Sequence, residues 1–177
     1  MTIIVEDGTG LSTAECYASV AECDTRLAAR GFALWATMST TEKENALRRA
    51  TDYMVQVYRL RWAGTRMTSA QVLDWPRAMV PKRDVLGSGY RSFPNYYSPT
   101  VVPTEVKNAN IDLAYKAAAG ELAPDLQPQV ASETVGSIAV QYIPGSRQTV
   151  KYRAIDNMLS MLLLDGGSNS FIRASRG

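Results

Sequence analysis

A tryptophan directly before a proline, Trp75-Pro76, constrains this chain more than any other pair of residues. The proline ring fixes its own φ and drives the residue before it out of helical space, so no helix runs through position 75. Trp62 stands about a dozen residues upstream, Gly64 breaks the chain between the two indoles, and the helix-like run Ala50-Thr51-Asp52-Tyr53-Met54 precedes both. The spacing predicts a rigid bend. Its tryptophans pin a corner of the hydrophobic core, because buried aromatic area dominates core energetics. Trp75, Pro76 and Arg77 form that corner. Asp52 lies beside the apolar stripe of its helix and either accepts hydrogen bonds from the corner or stays a solvated carboxylate.

The rest of the chain reads as helices with clear ends. Ser19-Val20-Ala21-Glu22 and Ser39-Thr40-Thr41-Glu42 both have serine and glutamate three apart, the capping-box pattern that starts a helix. The first helix is predicted from Val20 to about Arg30, stopped by Gly31 as a left-handed cap. The second is predicted from Thr40 to about Tyr58, with Leu47, Ala50, Met54 and Val57 at three- and four-residue steps. Pro103 opens a third, with Glu105 in its first turn and Gly120 past its end. A fourth occupies roughly Tyr152 to Leu164, with Ile155, Met158, Leu159, Leu162 and Leu163 on one broad face.

Between these helices lie other signals. Thr2-Ile3-Ile4-Val5 is a β-prone run ended by the turn cluster Asp7-Gly8-Thr9-Gly10. Glu133 to about residue 143 reads as a hairpin around Gly136-Ser137, glycine first as a type II′ turn prefers. Residues 76–103 form a long loop rich in proline and tyrosine, either a functional insertion over 82–100 or a tolerated surface loop. The fold class is therefore mainly α: one domain over 1–165, a small bundle of about four helices with a β-hairpin, and a flexible C-terminal tail over 166–177.

Composition narrows the function. The chain has 177 residues, two cysteines and no histidine. Without histidine the commonest general base and the imidazole zinc ligand are missing, and two cysteines cannot complete a structural zinc site. No phosphate-binding loop, nucleophile elbow or paired acid dyad appears. The expectation is a protein that is not an enzyme and carries no cofactor or metal. Cys16 and Cys23 read as inert thiols, with a disulfide as the alternative. No apolar run approaches the roughly 20 residues of a membrane span, nor does the start resemble a signal peptide.

Charge is patterned. Residues 1–47 carry 3 basic and 7 acidic side chains (−4), residues 48–91 carry 9 and 3 (+6), residues 92–144 carry 2 and 5 (−3), and residues 145–177 carry 5 and 2 (+3). Such blocks suit docking of unlike surfaces as well as nucleic-acid binding. The basic and aromatic residues Arg59, Arg61, Trp62, Arg66, Lys82, Arg83 and Arg91 loosely fit a base-stacking groove, and equally fit an interface anchored by Trp and Arg.

The order of these motifs, ATDYM at 50–54, then Arg61-Trp62 and Gly64, Trp75-Pro76-Arg77 and the VGSIAVQY hairpin, resembles the tailed-phage head–tail adaptor family. These proteins are also called connectors or head-completion proteins, and some members are labelled putative DnaT-like ssDNA-binding proteins. The resemblance spans about Ser19 to Leu164. It implies a structural virion protein, assembled in the host cytoplasm as a ring of about twelve copies. The ring would sit beneath the portal, extend the channel for genomic DNA and dock a tail or neck protein. The alternative it implies is a DnaT-like replication protein that binds single-stranded DNA. The tail adds a candidate contact of its own. Phe171, Ile172, Arg173 and Arg176 pair two apolar anchors with two cations. They are expected to order only against the portal or a neighbouring subunit.

Overall fold

The computed structural model describes residues 2–85, 95–124, 132–135, 138–141 and 150–164. Among these are five α-helices, α1 (Val20–Ala28), α2 (Ala33–Ala36), α3 (Thr40–Tyr58), α4 (Thr104–Ala119) and α5 (Arg153–Leu159), the last running into a 3-10 turn at Ser160–Leu162. Two short antiparallel pairs accompany them: β1 (Thr65–Arg66) with β2 (Arg77–Ala78), and β3 (Ser132–Val135) with β4 (Ile138–Gln141). The architecture is the expected helical bundle with a hairpin. No helix among the described residues is long and apolar enough to cross a membrane.

Helix starts follow the caps. The Ser19 hydroxyl accepts from the Glu22 N–H, and the Glu22 carboxylate accepts from the Ser19 N–H at 2.7 Å. Ser39 and Glu42 repeat the arrangement at the head of α3. Each such cap is worth about 0.5–2 kcal/mol over alanine. Gly31, at φ +73°, turns the chain after α1.

The four expected helices are joined by a fifth, the one-turn α2 just past Gly31. There the Trp35 indole donates to Asp24 Oδ1 at 2.7 Å. The loop over 76–103 contains structure: β2 pairs with β1, and Pro81 bridges Tyr96. The last helix tightens to a 3-10 turn at Ser160 before the extended Leu163. Gly136-Ser137, much of the 82–100 loop and the tail 166–177 lie outside the described residues.

Helices α3 and α4 form the central pair, with α1 and α5 packed on α4. At their contact sits a fully buried amide. Asn110 accepts from the Tyr17 N–H at 3.3 Å and donates to Thr51 Oγ1 at 3.0 Å, while Thr51 donates onward to Leu47 O. The N-terminal run makes a single parallel bridge, Val5 to Cys16, in place of a strand. Past it, the buried Glu6 carboxylate accepts from the N–H groups of Gly8, Gly10 and Leu11, each at 2.9 Å. That one side chain closes the turn predicted at Asp7–Gly10.

The tryptophan corner and a candidate interaction surface

Past the end of α3 the chain folds back on itself around aromatic rings. Tyr58 packs on Trp62 with centroids 5.7 Å apart, Trp62 meets Trp75 edge-on at 5.6 Å, and Trp75 meets Tyr97 at 6.5 Å. Tyr58, Trp62 and Trp75 are all buried. The Tyr58 hydroxyl donates to Asp156 at 2.8 Å, and burial together with that carboxylate pushes its pKa up. The indoles are therefore core, as the bend predicts. Gly64, at φ +67°, lets the chain pass: a Cβ there would collide with the Ala78 carbonyl.

Arg77 holds the corner from inside. Its guanidinium donates to the carbonyls of Ala63 (2.8 Å), Gly64 (2.7 Å) and Asp74 (3.2 Å). Burial pulls its pKa down, and the nearby Asp74 charge acts against that. The carboxylate of the corner is Asp74, not Asp52. Asp74 is buried, accepts from Arg59 Nε at 2.9 Å, and its backbone N–H donates to the Tyr17 hydroxyl at 3.0 Å. Asp52 is exposed and faces an open groove with Gln56 and Glu121. Gln71 is buried beside the corner and donates to the carbonyls of Leu73 and Pro76. Among the described residues, Trp62 Nε1, Trp75 Nε1 and Asp74 Oδ2 are buried without a hydrogen-bond partner.

The predicted cations gather around this corner, each already engaged. Arg59 also donates to Val72 O, Arg61 lies over the Tyr58 ring and 3.6 Å from Asp156, and Arg66 donates to Gln71 O. Lys82 lies over the Tyr97 ring at 5.2 Å, and Arg83 donates to Leu163 O at 2.9 Å. Among the described members of the set, Trp62 is the one that is sealed off. Tyr96 is exposed beside Lys82, whose N–H donates to Asn95 O. Arg91 and the tail residues Phe171, Ile172, Arg173 and Arg176 lie outside the described residues.

Sequence reasoning missed Glu6, Gln71, Asp74 and Asn110 as buried polar anchors. For Asp74 there was a signal: an acid between Leu73 and Trp75, inside an otherwise apolar run. Cys16 and Cys23 are both buried and free, with burial pushing each thiol up to about 12. The described residues contain no cluster of metal-ligating side chains.

No curated protein and no solved structure matches the chain. A family model described as "Putative DnaT-like ssDNA binding protein" matches residues 1–177, its entire length. The chain belongs to that family, the putative DnaT-like ssDNA-binding proteins.

Proposed function

We propose that the protein is a structural head–tail adaptor of a tailed bacteriophage, assembling as a ring beneath the portal and docking a tail or neck protein below. One observation carries this reading: among the described residues of its most basic segment, the aromatic rings of Tyr58, Trp62 and Trp75 are turned inward. Tyr58, Trp62 and Trp75 stack on one another within the core, so none of them offers a face to a nucleobase. Binding to single strands draws about 1–3 kcal/mol per base from such stacking. What this segment offers outside is a mixture of cations and apolar side chains, the composition of a docking surface. The mechanism is association without turnover, and the genomic DNA passes through the ring with no base read.

A second reading has its own support. The family description names single-stranded DNA, and Tyr96 is an exposed aromatic with Lys82 and Arg83 close by. Fluorescence anisotropy with a labelled oligonucleotide separates the two. The adaptor reading expects weak binding at about 50 mM salt that vanishes by about 150 mM, because only counterion release drives it. Sub-micromolar binding at the higher salt, lost on Tyr96→Ala, would replace the adaptor with a replication protein. A pull-down with the portal tests the adaptor directly.

A further inference from the structure

A polar stripe of α3 runs along an open groove. Glu42, Asn45, Arg49, Asp52 and Gln56 follow one another at three- and four-residue steps, which sets them in a line on one face of the helix. Between α2, α3 and α4 this line borders a hollow of about 750 Å³ whose apolar walls are Leu34, Met38 and Ala118. Beside it lies a second hollow of about 220 Å³, between Asp52, Tyr53 and Gln56 on α3 and the chain around Gly120 at the end of α4. Arg49 lines both, so the two hollows join at its side chain. The α4 side is made of the small residues Ala117, Ala118 and Gly120, which leaves the groove open. From Glu42 to Gln56 the helix rises about 21 Å.

Charge changes sign along this line. In the larger hollow Arg48 and Arg49 meet one acid, Glu42. Arg48 holds the Glu15 carboxylate with Nε at 2.9 Å and Nη2 at 3.1 Å, so its charge is largely spent and it serves as a fixed wall. Arg49 is exposed and is the cation left for a ligand. The smaller hollow carries two exposed acids, Asp52 and Glu121. Among the described residues none of these three side chains joins a salt bridge. A complementary ligand is therefore apolar at the α2 end, acidic beside Arg49 and basic towards Asp52 and Glu121. A free anion covers only part of this length, whereas an extended chain of about six residues, at about 3.3 Å each, spans it all. A nucleic-acid strand, with a phosphate at every step, would meet Glu42, Asp52 and Glu121.

We infer that this groove binds an extended peptide segment of a partner protein, one in which an acidic residue stands between an apolar residue and a basic one. The carboxylate meets the Arg49 guanidinium, whose planar fork suits a bidentate, charge-assisted pair. The apolar side chain lies on Leu34 and Met38, and the cation faces Asp52 and Glu121. The order of charges along the groove supplies the specificity. The inference deepens the adaptor reading by giving the chemistry of a segment that the adaptor docks. It rests on that reading only for the source of the segment, a portal, tail or neck protein.

Two-dimensional amide NMR of the full chain tests it, with circular dichroism checking the fold of every variant. The probes are the peptide acetyl-Leu-Leu-Ser-Glu-Ser-Lys-amide and the same residues in reverse order, since the groove is open to either chain direction. One of the two is expected to bind with a Kd of about 0.1–1 mM and to shift the amides of Leu34, Met38, Arg49 and Gly120 together. Arg49→Glu should weaken that binding at least about tenfold. Replacing the peptide's glutamate by lysine should restore it in that variant and abolish it in the wild type. Ala118→Leu, which fills the groove without altering its charge, should weaken binding as well. The inference is overturned by the absence of shifts at several millimolar peptide, by shifts confined to other residues, or by equal binding of the Arg49→Glu variant. Equal shifts from sodium acetate alone, or from a single-stranded oligonucleotide in the peptide's place, overturn it too. So do shifts that follow protein concentration without peptide, the mark of a second copy in the groove. Portal pull-down that succeeds where the peptides fail removes the groove and leaves the adaptor reading intact. Peptide binding without any portal or tail association supports the groove and removes the adaptor.

Discussion

Gly64 and Gly31 both have positive φ, +67° and +73°, but their surroundings differ completely. A Cβ on Gly31 meets nothing within 4 Å, whereas one on Gly64 runs into the Ala78 carbonyl and sits 2.8 Å from Val80 Cγ2. Alanine at either site incurs backbone strain of roughly 1–2 kcal/mol, partly offset by roughly 0.4–1 kcal/mol of lost freedom in the unfolded chain. At position 31 the net loss should stay at about 1 kcal/mol. At position 64 the collision adds roughly 1–3 kcal/mol. The obstacle is main chain pinned by β1–β2 pairing and by Arg77, so it cannot swing aside. With about 2–4 °C per kcal/mol for a chain of this size, Gly31→Ala should lower Tm by about 2–4 °C and Gly64→Ala by about 4–16 °C. Thermal unfolding followed by circular dichroism measures both. Equal losses would show that the corner yields locally, and would refute the claim that β1–β2 pairing and Arg77 hold it rigid.

Other consequences are as direct. Asn110→Ala should cost about 2–3 kcal/mol in urea unfolding, because the buried Tyr17 N–H loses its acceptor. Ellman's reagent should leave Cys16 and Cys23 unreacted in the native protein and titrate both in denaturant, as buried thiols raised to about 12 demand. Hydrogen bonding from Arg48 holds Glu15 below its ordinary value, and Ser39 does the same for Glu42. A depressed carboxylate stabilises the fold above its unfolded value and ceases to do so as pH falls through the folded one. Stability should therefore be flat from neutrality to about pH 5 and decline below about 4.5, and Arg48→Met should flatten that decline. Raised thiols and tyrosines act oppositely, so stability should also fall as pH climbs past about 9.

What could be read from the sequence was whatever depends on near neighbours. Ser19 with Glu22, Ser39 with Glu42 and Gly31 after α1 are local arrangements, and the structure contains all of them. The bend at Trp75-Pro76 follows from proline geometry alone. The partner of the corner did not follow. Asp52 and Asp74 both lie near the right elements in sequence, but the choice depends on Arg59 reaching across from the end of α3, a contact no periodicity encodes. The Trp62 and Arg61 pair shows the same limit. A basic-aromatic cluster reads identically whether its ring faces solvent or the core, and here Trp62 faces Trp75 while Arg61 stays outside.

The three indoles give the molecule a built-in optical reporter of one event only. Trp35, Trp62 and Trp75 are each no more than 2% exposed, so their emission should be blue-shifted in the native state and move to the red on unfolding. A ligand seated on the outer surface touches none of them. Steady intrinsic fluorescence during titration with oligonucleotide or partner is therefore compatible with tight docking, and a quench or red shift would signal that the corner itself had opened.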